Sequence, residues 1–273
     1  MIQSVDKNLL LRYDVSSDIV AFSTRRGCLT DADSPYSSFN ANPYCGDDLN
    51  RVVASQKSLA SMIGVGQDKL IIPHQVHGKR VLKVDELFMS QEQAEREKAL
   101  DGTDALVSNL KGVCLCISTA DCVPVLVYDK QSGAMAAVHA GWRGTVQNIV
   151  GATLALMADA YGTNPKDCHA VIGPSISLDS FEVGEEVYEE FAKAGFDMSA
   201  IARRYPCTGG PLTEKWHIDL WEANRIQLLD AGLLPQSVKV AGICTYKNYE
   251  EYFSARRLTI KSGRIITGIV RLQ

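Results

Sequence analysis

Five histidines occur in the 273 residues, and two of them stand within two residues of a glycine in segments that could turn an imidazole into a cleft. His77 lies in Pro73-His74-Gln75-Val76-His77-Gly78, and His139 in Ala137-Val138-His139-Ala140-Gly141-Trp142-Arg143-Gly144. Cys122, in Thr119-Ala120-Asp121-Cys122, falls between two apolar runs. Two imidazoles and a thiolate suit a borderline-soft ion such as Zn²⁺, and three protein ligands leave a fourth tetrahedral position for water or substrate. Spacing alone does not specify a metal: His77 and Cys122 are 45 residues apart, Cys122 and His139 are 17, and neither His-Glu-x-x-His nor Cys-x-x-Cys occurs. The same residues also fit packed core histidines with a buried thiol, or a metal-free pair in which His139 activates Cys122 as a nucleophile.

The remaining chemistry-bearing residues each carry a plainer alternative. Arg143 stands at an expected helix start between Gly141 and Gly144, where free amides and a guanidinium suit phosphate, or where a tryptophan simply packs. Arg256-Arg257, after Tyr252-Phe253-Ser254-Ala255, reads as an anion or base pocket or as a solvated charge pair. Asp121 reads as an orienter of the metal ligands, a proton donor to a leaving group, or a buried hydrogen-bonded carboxylate. His74, His169 and His217 lack partners in sequence and read as ordinary surface or core residues. Phe181, Tyr246 and Phe253 read equally as core or as surfaces for a stacked base.

These side chains must be positioned by a core of short strands. Apolar runs predict strands over 9–13, 19–24, 70–72, 80–84, 105–108, 113–118, 123–128, 134–139, 170–172, 238–244 and 265–270, most of them continuous enough to be covered on both faces. The spacing of Val146, Ile149, Val150, Leu154, Met157 and Tyr161 predicts one helix over 143–161, ended by Gly162. Further helices are expected from Asp47-Asp48 to Gly64, over 184–194, and over 219–229 after a capping Asp219. A long polar loop is expected over 26–46. His77 and His139 are placed at strand ends, and Cys114 and Cys116 share one face of a strand as packing. Strands and helices mix without strict alternation, which favours an α+β fold: a single domain over 1–273, with a mixed β-sheet core flanked by helices.

Apolar residues make up 46% and charged residues 22%, which excludes disordered, collagen-like and coiled-coil chains. A formal net charge of −4 supplies no basic field for nucleic acid or an anionic membrane, so an anionic ligand depends on local arginines. The apolar stretch 113–128 is too short and too interrupted to span a bilayer, and the first residues lack the pattern of a signal peptide. A cytoplasmic monomer or small homo-oligomer is expected, with its eight cysteines reduced.

Several motifs in order carry a resemblance. Gln75-Val76-His77-Gly78, Thr119-Ala120-Asp121-Cys122-x-Pro124-Val125, Val138-His139-Ala140-Gly141-Trp142-Arg143-Gly144, Ile172-Gly173-Pro174, Phe181-Glu182-Val183-Gly184 and Phe253-Ser254-x-Arg256-Arg257 resemble the YfiH-like family, from about Thr24 onward. Its members have been called laccase-domain or polyphenol oxidase proteins and are described as purine nucleoside phosphorylases. The resemblance implies a zinc enzyme, with copper as the alternative ion, that cleaves adenosine, inosine, guanosine and methylthioadenosine with phosphate and also deaminates adenosine. It implies His77, Cys122 and His139 as the ligands; for a mechanism built on them, Asp121 and Arg143 are the expected catalytic residues, and Arg25, Asn40, Gln75, Ser254 and Arg256 the expected substrate contacts.

Against the family pattern stand Arg26-Gly27-Cys28-Leu29-Thr30 for Gly-Gly-Val-Ser, Ser38-Phe39-Asn40-Ala41-Asn42 for Ser-Leu-Asn-Leu-Gly, and Ser55-Gln56 for Asn-Arg. Tyr44 replaces a histidine and Cys45 a valine. These changes spare the ligands and bear on nucleoside preference. The competing classes are a copper-dependent polyphenol oxidase, a metal-free cysteine hydrolase using Cys122 and His139, and a non-enzymatic binding module. Oxygen reduction by laccases uses several coppers, for which five histidines are few.

Overall fold

Strands that are apolar at every position cannot face water on either side, and the chain meets this by stacking two sheets between helices. The structure, a computed structural model, describes residues 9–27, 35–206 and 214–272. Its first half runs β1 (Leu10–Tyr13), β2 (Ile19–Thr24), α1 (Leu49–Ile63), β3 (Leu70–Ile71), β4 (Val81–Lys83), α2 (Glu86–Ser90), α3 (Gln93–Leu100), β5 (Ala105–Ser108), β6 (Cys114–Thr119), β7 (Val123–Asp129) and β8 (Met135–Ala140). Then follow α4 (Trp142–Val146), α5 (Ile149–Tyr161), β9 (Cys168–Ile172), β10 (Glu182–Val183), α6 (Glu185–Lys193), α7 (Met198–Ile201), β11 (Ala202–Pro206), β12 (Glu214–Ile218), α8 (Leu220–Asp230), β13 (Val238–Val240), α9 (Ala255–Leu258) and β14 (Ile265–Arg271). Cys28, Leu29, Thr30 and Cys207 lie outside the described residues.

One sheet has the order β1-β2-β14-β6-β3 and the other β13-β9-β7-β8-β5-β4, both mixed, with a small third sheet β10-β12-β11. Ile117 and Ile269 of the first meet Leu126 and Met135 of the second in the core between them. The outer face of the first is covered by Leu59 and Ile63 of α1. The outer face of the second is covered by Ile149, Leu154 and Met157 of α5 and Leu228 of α8. The α+β class and helical flanks expected from the sequence hold, but the expected core sheet is divided into two. No helix of the described residues is long and apolar enough to cross a membrane.

The capping signals at the ends of α1 work as read. Asp48 accepts from the amides of Asn50 and Arg51 at 3.0 and 3.1 Å, and Gly64 closes the helix at φ 76°. The expected helix over 143–161 is instead two. Asn148 adopts φ 54°, ψ 52°, and its Oδ1 accepts from Gly151 N at 3.0 Å to start α5 afresh. The apolar period survives the break because residues of both segments pack on the same sheet, whereas the competing side-chain cap breaks the backbone ladder. The strand expected over 238–244 stops at Val240, while α2, α3 and the short, charged strands β10 to β12 were not expected.

Asn148 combines a useful cap with a strained backbone. Asn148→Ala loses the cap and keeps the strain, and should cost about 2 kcal/mol; Asn148→Gly loses the cap but relieves the strain, and should cost well under about 1 kcal/mol. Urea unfolding midpoints at unchanged m-value would measure both.

Candidate metal centre

The three candidate ligands come from two connections and one strand, and the structure brings them together. His139 is the penultimate residue of β8, Cys122 lies in the link from β6 to β7, and His77 lies in the loop from β3 to β4 rather than at a strand end. Their ligand atoms all fall within 4.8 Å of one another. A single ion with bonds of roughly 2.0 to 2.3 Å closes that separation with small side-chain rotations. The two imidazole rings meet edge to face at 4.8 Å between centroids. Gly141 supplies the space: a Cβ there would lie 3.1 Å from Cys122 Sγ, 3.2 Å from His77 Cδ2 and 3.7 Å from His139 Nε2.

Asp104, at the head of β5, holds two of the ligands. It is fully buried. Oδ1 accepts from His77 N at 2.9 Å, and Oδ2 from Gly78 N at 2.7 Å and Val76 N at 3.3 Å. These bonds fix His77 at φ 63°, a left-handed conformation that a non-glycine residue otherwise avoids. Oδ1 also lies 2.8 Å from His139 Nδ1. That bond places the hydrogen of a neutral imidazole on Nδ1 and leaves the Nε2 lone pair for the ion, the orientation metal-binding histidines need. Burial pushes the Asp104 carboxyl up, but His139 and the amides outweigh it and hold the group below the usual carboxylate range.

The thiol and imidazole reinforce each other's charge. Burial opposes ionisation of Cys122, yet the charges and hydrogen bonds of His139 and His77 bring it down to about 6. Burial likewise opposes charge on His139, but the thiolate and Asp104 raise it to about 9. An anionic sulfur facing two imidazoles, with room left by Gly141, is a donor set that fits Zn²⁺ or a similar divalent ion.

Gln75 locks the His77 loop to the end of β6: its Nε2 donates to Ser118 O at 2.9 Å, and its Oε1 accepts from Ser118 N at 2.7 Å. The ligands line a cleft of about 700 Å³, counted out to its open mouth. Tyr44, His74, Ala255, Ile260 and Arg264 contribute to its outer walls. His74 had read as an ordinary residue; its Nδ1 is held by Asp101 at 2.7 Å and its ring lies 4.8 Å from that of Tyr44.

The family described as multi-copper polyphenol oxidoreductase laccase matches residues 19–272. The chain belongs to that family. It is 50% identical over 269 residues to a purine nucleoside phosphorylase of Bacteroides thetaiotaomicron, covering 97% of each chain. It is 44% identical over 253 residues to adenosine deaminase RL5 from an unknown prokaryotic organism, covering 93% of this chain and 94% of that one. Among solved structures it superposes on YlmD from Geobacillus stearothermophilus with a TM-score of 0.87 at 28% identity, and on YfiH from Bacillus licheniformis with 0.86 at 26%, each covering 98% of both chains.

Of the other residues nominated from sequence, Gln75 lines the cleft and the rest do not. Asp121, at φ 86°, accepts from Thr245 Oγ1 and from Arg256 N, both at 2.7 Å, and so braces the Cys122 link against the C-terminal segment. The Arg256 guanidinium donates to Glu182 O and that of Arg143 lies over Trp142, 4.2 Å from the ring centroid. Arg25 bonds Tyr252 and pairs with Glu251. Ser254 is buried as the cap of α9, and Asn40 is buried behind the wall, bonded to Cys45, Asp47 and the amide of Arg264. Asp104 and Arg264 escaped sequence reasoning. The only signal for Asp104 was a carboxylate directly ahead of an apolar strand, where burial would force it to find donors.

An orienting carboxylate of this kind is worth about ten- to a hundred-fold in metal affinity. Asp104→Asn should lower the affinity for Zn²⁺ by that factor, read by competition with a chromophoric chelator, while the three ligands remain. Affinity equal to that of the parent would show that His139 and His77 are positioned without it.

Proposed function

We propose that the protein is a zinc-dependent purine nucleoside phosphorylase acting on adenosine, inosine, guanosine and methylthioadenosine, with adenosine deamination as a second activity. The observation that carries this reading is the His77, Cys122 and His139 cluster opening into a cleft, in a chain half identical to a purine nucleoside phosphorylase along nearly its whole length. The deaminase reading is favoured by the relative that bears that name.

Phosphorolysis forms a bond from a phosphate oxygen to C1′ and breaks the bond from C1′ to N9, leaving the electron pair on the purine, which then takes up a proton. The demands are alignment of two reactants and balance of negative charge. Zn²⁺ held by His77, Cys122 and His139 would supply Lewis acidity and a lowered pKa for bound water, at a coordination position left open to the cleft. The chain's own residues orient and enclose. Asp104 keeps His139 in the tautomer that faces the cleft, and Gln75 holds the loop that carries His77 against Ser118. The rings of Tyr44 and His74 and the side chain of Ile260 present flat and apolar surfaces of the sort on which a purine rests.

The test is chromatography of each nucleoside incubated with and without inorganic phosphate, alongside metal analysis. The expected result is free base and the sugar 1-phosphate only when phosphate is present, loss with chelator, recovery with Zn²⁺, and loss of both metal and cleavage in Cys122→Ala. Deamination of adenosine should proceed without phosphate. Full phosphorolysis by a metal-free variant overturns the zinc reading. Thiol-reagent inhibition without chelator sensitivity would point to the cysteine hydrolase instead, and phenol oxidation restored by copper to the oxidase.

A further inference from the structure

Phosphate needs permanent positive charge and hydrogen-bond donors, and the arginines nominated from sequence direct their guanidinium groups elsewhere. The lining of the metal cleft contains no carboxylate and no lysine among the described residues, so Arg264 is its sole permanent charge. The guanidinium is held in place by carbonyls of its own turn: Nη1 donates to Ser262 O and Gly263 O, and Nη2 to Ile260 O at 2.9 Å. Asn40 fixes the backbone from behind by accepting from Arg264 N at 3.1 Å. Nε–H and one Nη2 hydrogen take no partner among the described residues. A cation anchored through three carbonyls, with donors to spare, is prepared for an anion rather than for a salt bridge within the protein.

A second observation comes from the neighbouring strand. Ser118 Oγ and Thr119 Oγ1 are buried without a hydrogen-bond partner, and both residues line the same cleft. The antiparallel ladder sets Ser118 opposite Ile266 and Thr119 opposite Ile265. Alternation then puts Ser118 on the face that Arg264 continues at the end of β14, and Thr119 on the other. Ser118 lines the cleft while its hydroxyl is left without a partner, a need that an oxyanion bound there would satisfy.

We infer that Arg264 and Ser118 form the oxyanion subsite of this cleft, taken by inorganic phosphate. The inference rests on the phosphorylase reading for its substrate, but it can fail separately from it. Calorimetry of the metal-loaded protein with inorganic phosphate, and initial rates against phosphate and against inosine, test the parent with Arg264→Gln, Arg264→Lys and Ser118→Ala. Loss of a charge-assisted fork should weaken phosphate about ten- to a hundred-fold in Arg264→Gln, and loss of one hydroxyl about two- to ten-fold in Ser118→Ala. Arg264→Lys should fall between Arg264→Gln and the parent, and the KM for inosine and the metal content should stay close to the parent's.

Should Arg264→Gln fail to fold for want of its carbonyl bonds, Arg264→Lys and Ser118→Ala decide the matter. Phosphate affinity unchanged in these variants, a rise in inosine KM that matches the rise for phosphate, or a parent that binds no phosphate overturns the subsite. A parent that binds phosphate through Arg264 yet cleaves no nucleoside keeps the subsite and removes the phosphorylase reading.

Discussion

A carboxylate removed from water must be surrounded by donors or give up its charge. Asp104 is fully buried, and four groups converge on its two oxygens: the amides of Val76, His77 and Gly78, and Nδ1 of His139. Those bonds do more than offset desolvation. Three hold a loop in which a histidine takes a backbone conformation it would otherwise avoid, and the fourth selects the tautomer of a second histidine. The solvation of one acid and the placement of two candidate metal ligands are therefore the same set of contacts, and neither can change without the other.

The two-sheet core determines where this happens. His77 lies on the link from β3 in the first sheet to β4 in the second, and Cys122 on the link from β6 in the first to β7 in the second. His139 and Asp104 belong to the neighbouring strands β8 and β5, or to the head of one of them. The centre thus forms at a seam, from two crossings between sheets and one strand end. It exists only when the sheets are docked, so the apolar core of Ile117, Leu126, Met135 and Ile269 is a precondition of the chemistry. Gln75 ties the first of these crossings to β6 of the first sheet by closing both bonds to the backbone of Ser118.

Legibility in the sequence followed how local the cause was. Apolar runs located most of the strands near the centre because strand burial is written residue by residue. Softness and scarcity of donors singled out His77, Cys122 and His139. Asp104 was illegible because its partners stand 27 and 35 residues away, and nothing beside it says that a carboxylate ahead of a strand will be buried. The break at Asn148 was hidden because an apolar period reports which face is buried, not whether the backbone is continuous. The arginines show a related gap: sequence gives a charge but no direction. Arg256 meets Asp121 through its backbone amide while its guanidinium turns to Glu182.

The walls of the cleft differ in how much freedom they retain. On the inner side, Gln75, and Asp104 behind the candidate ligands, spend their hydrogen-bonding capacity on the protein itself, so adapting to a ligand would mean breaking buried bonds, and that is costly. On the outer side, Tyr44 is 44% exposed and Ile260 75% exposed. Such side chains can turn at little cost and are free to be replaced without disturbing the seam. The arrangement of the three candidate ligands is therefore a property of the buried framework, whereas the outer side chains keep the freedom to adapt to what enters the cleft. Tyr44 and Cys45 both line the cleft and neither takes part in the buried bonds that place His77 and His139, so changes there leave those bonds intact.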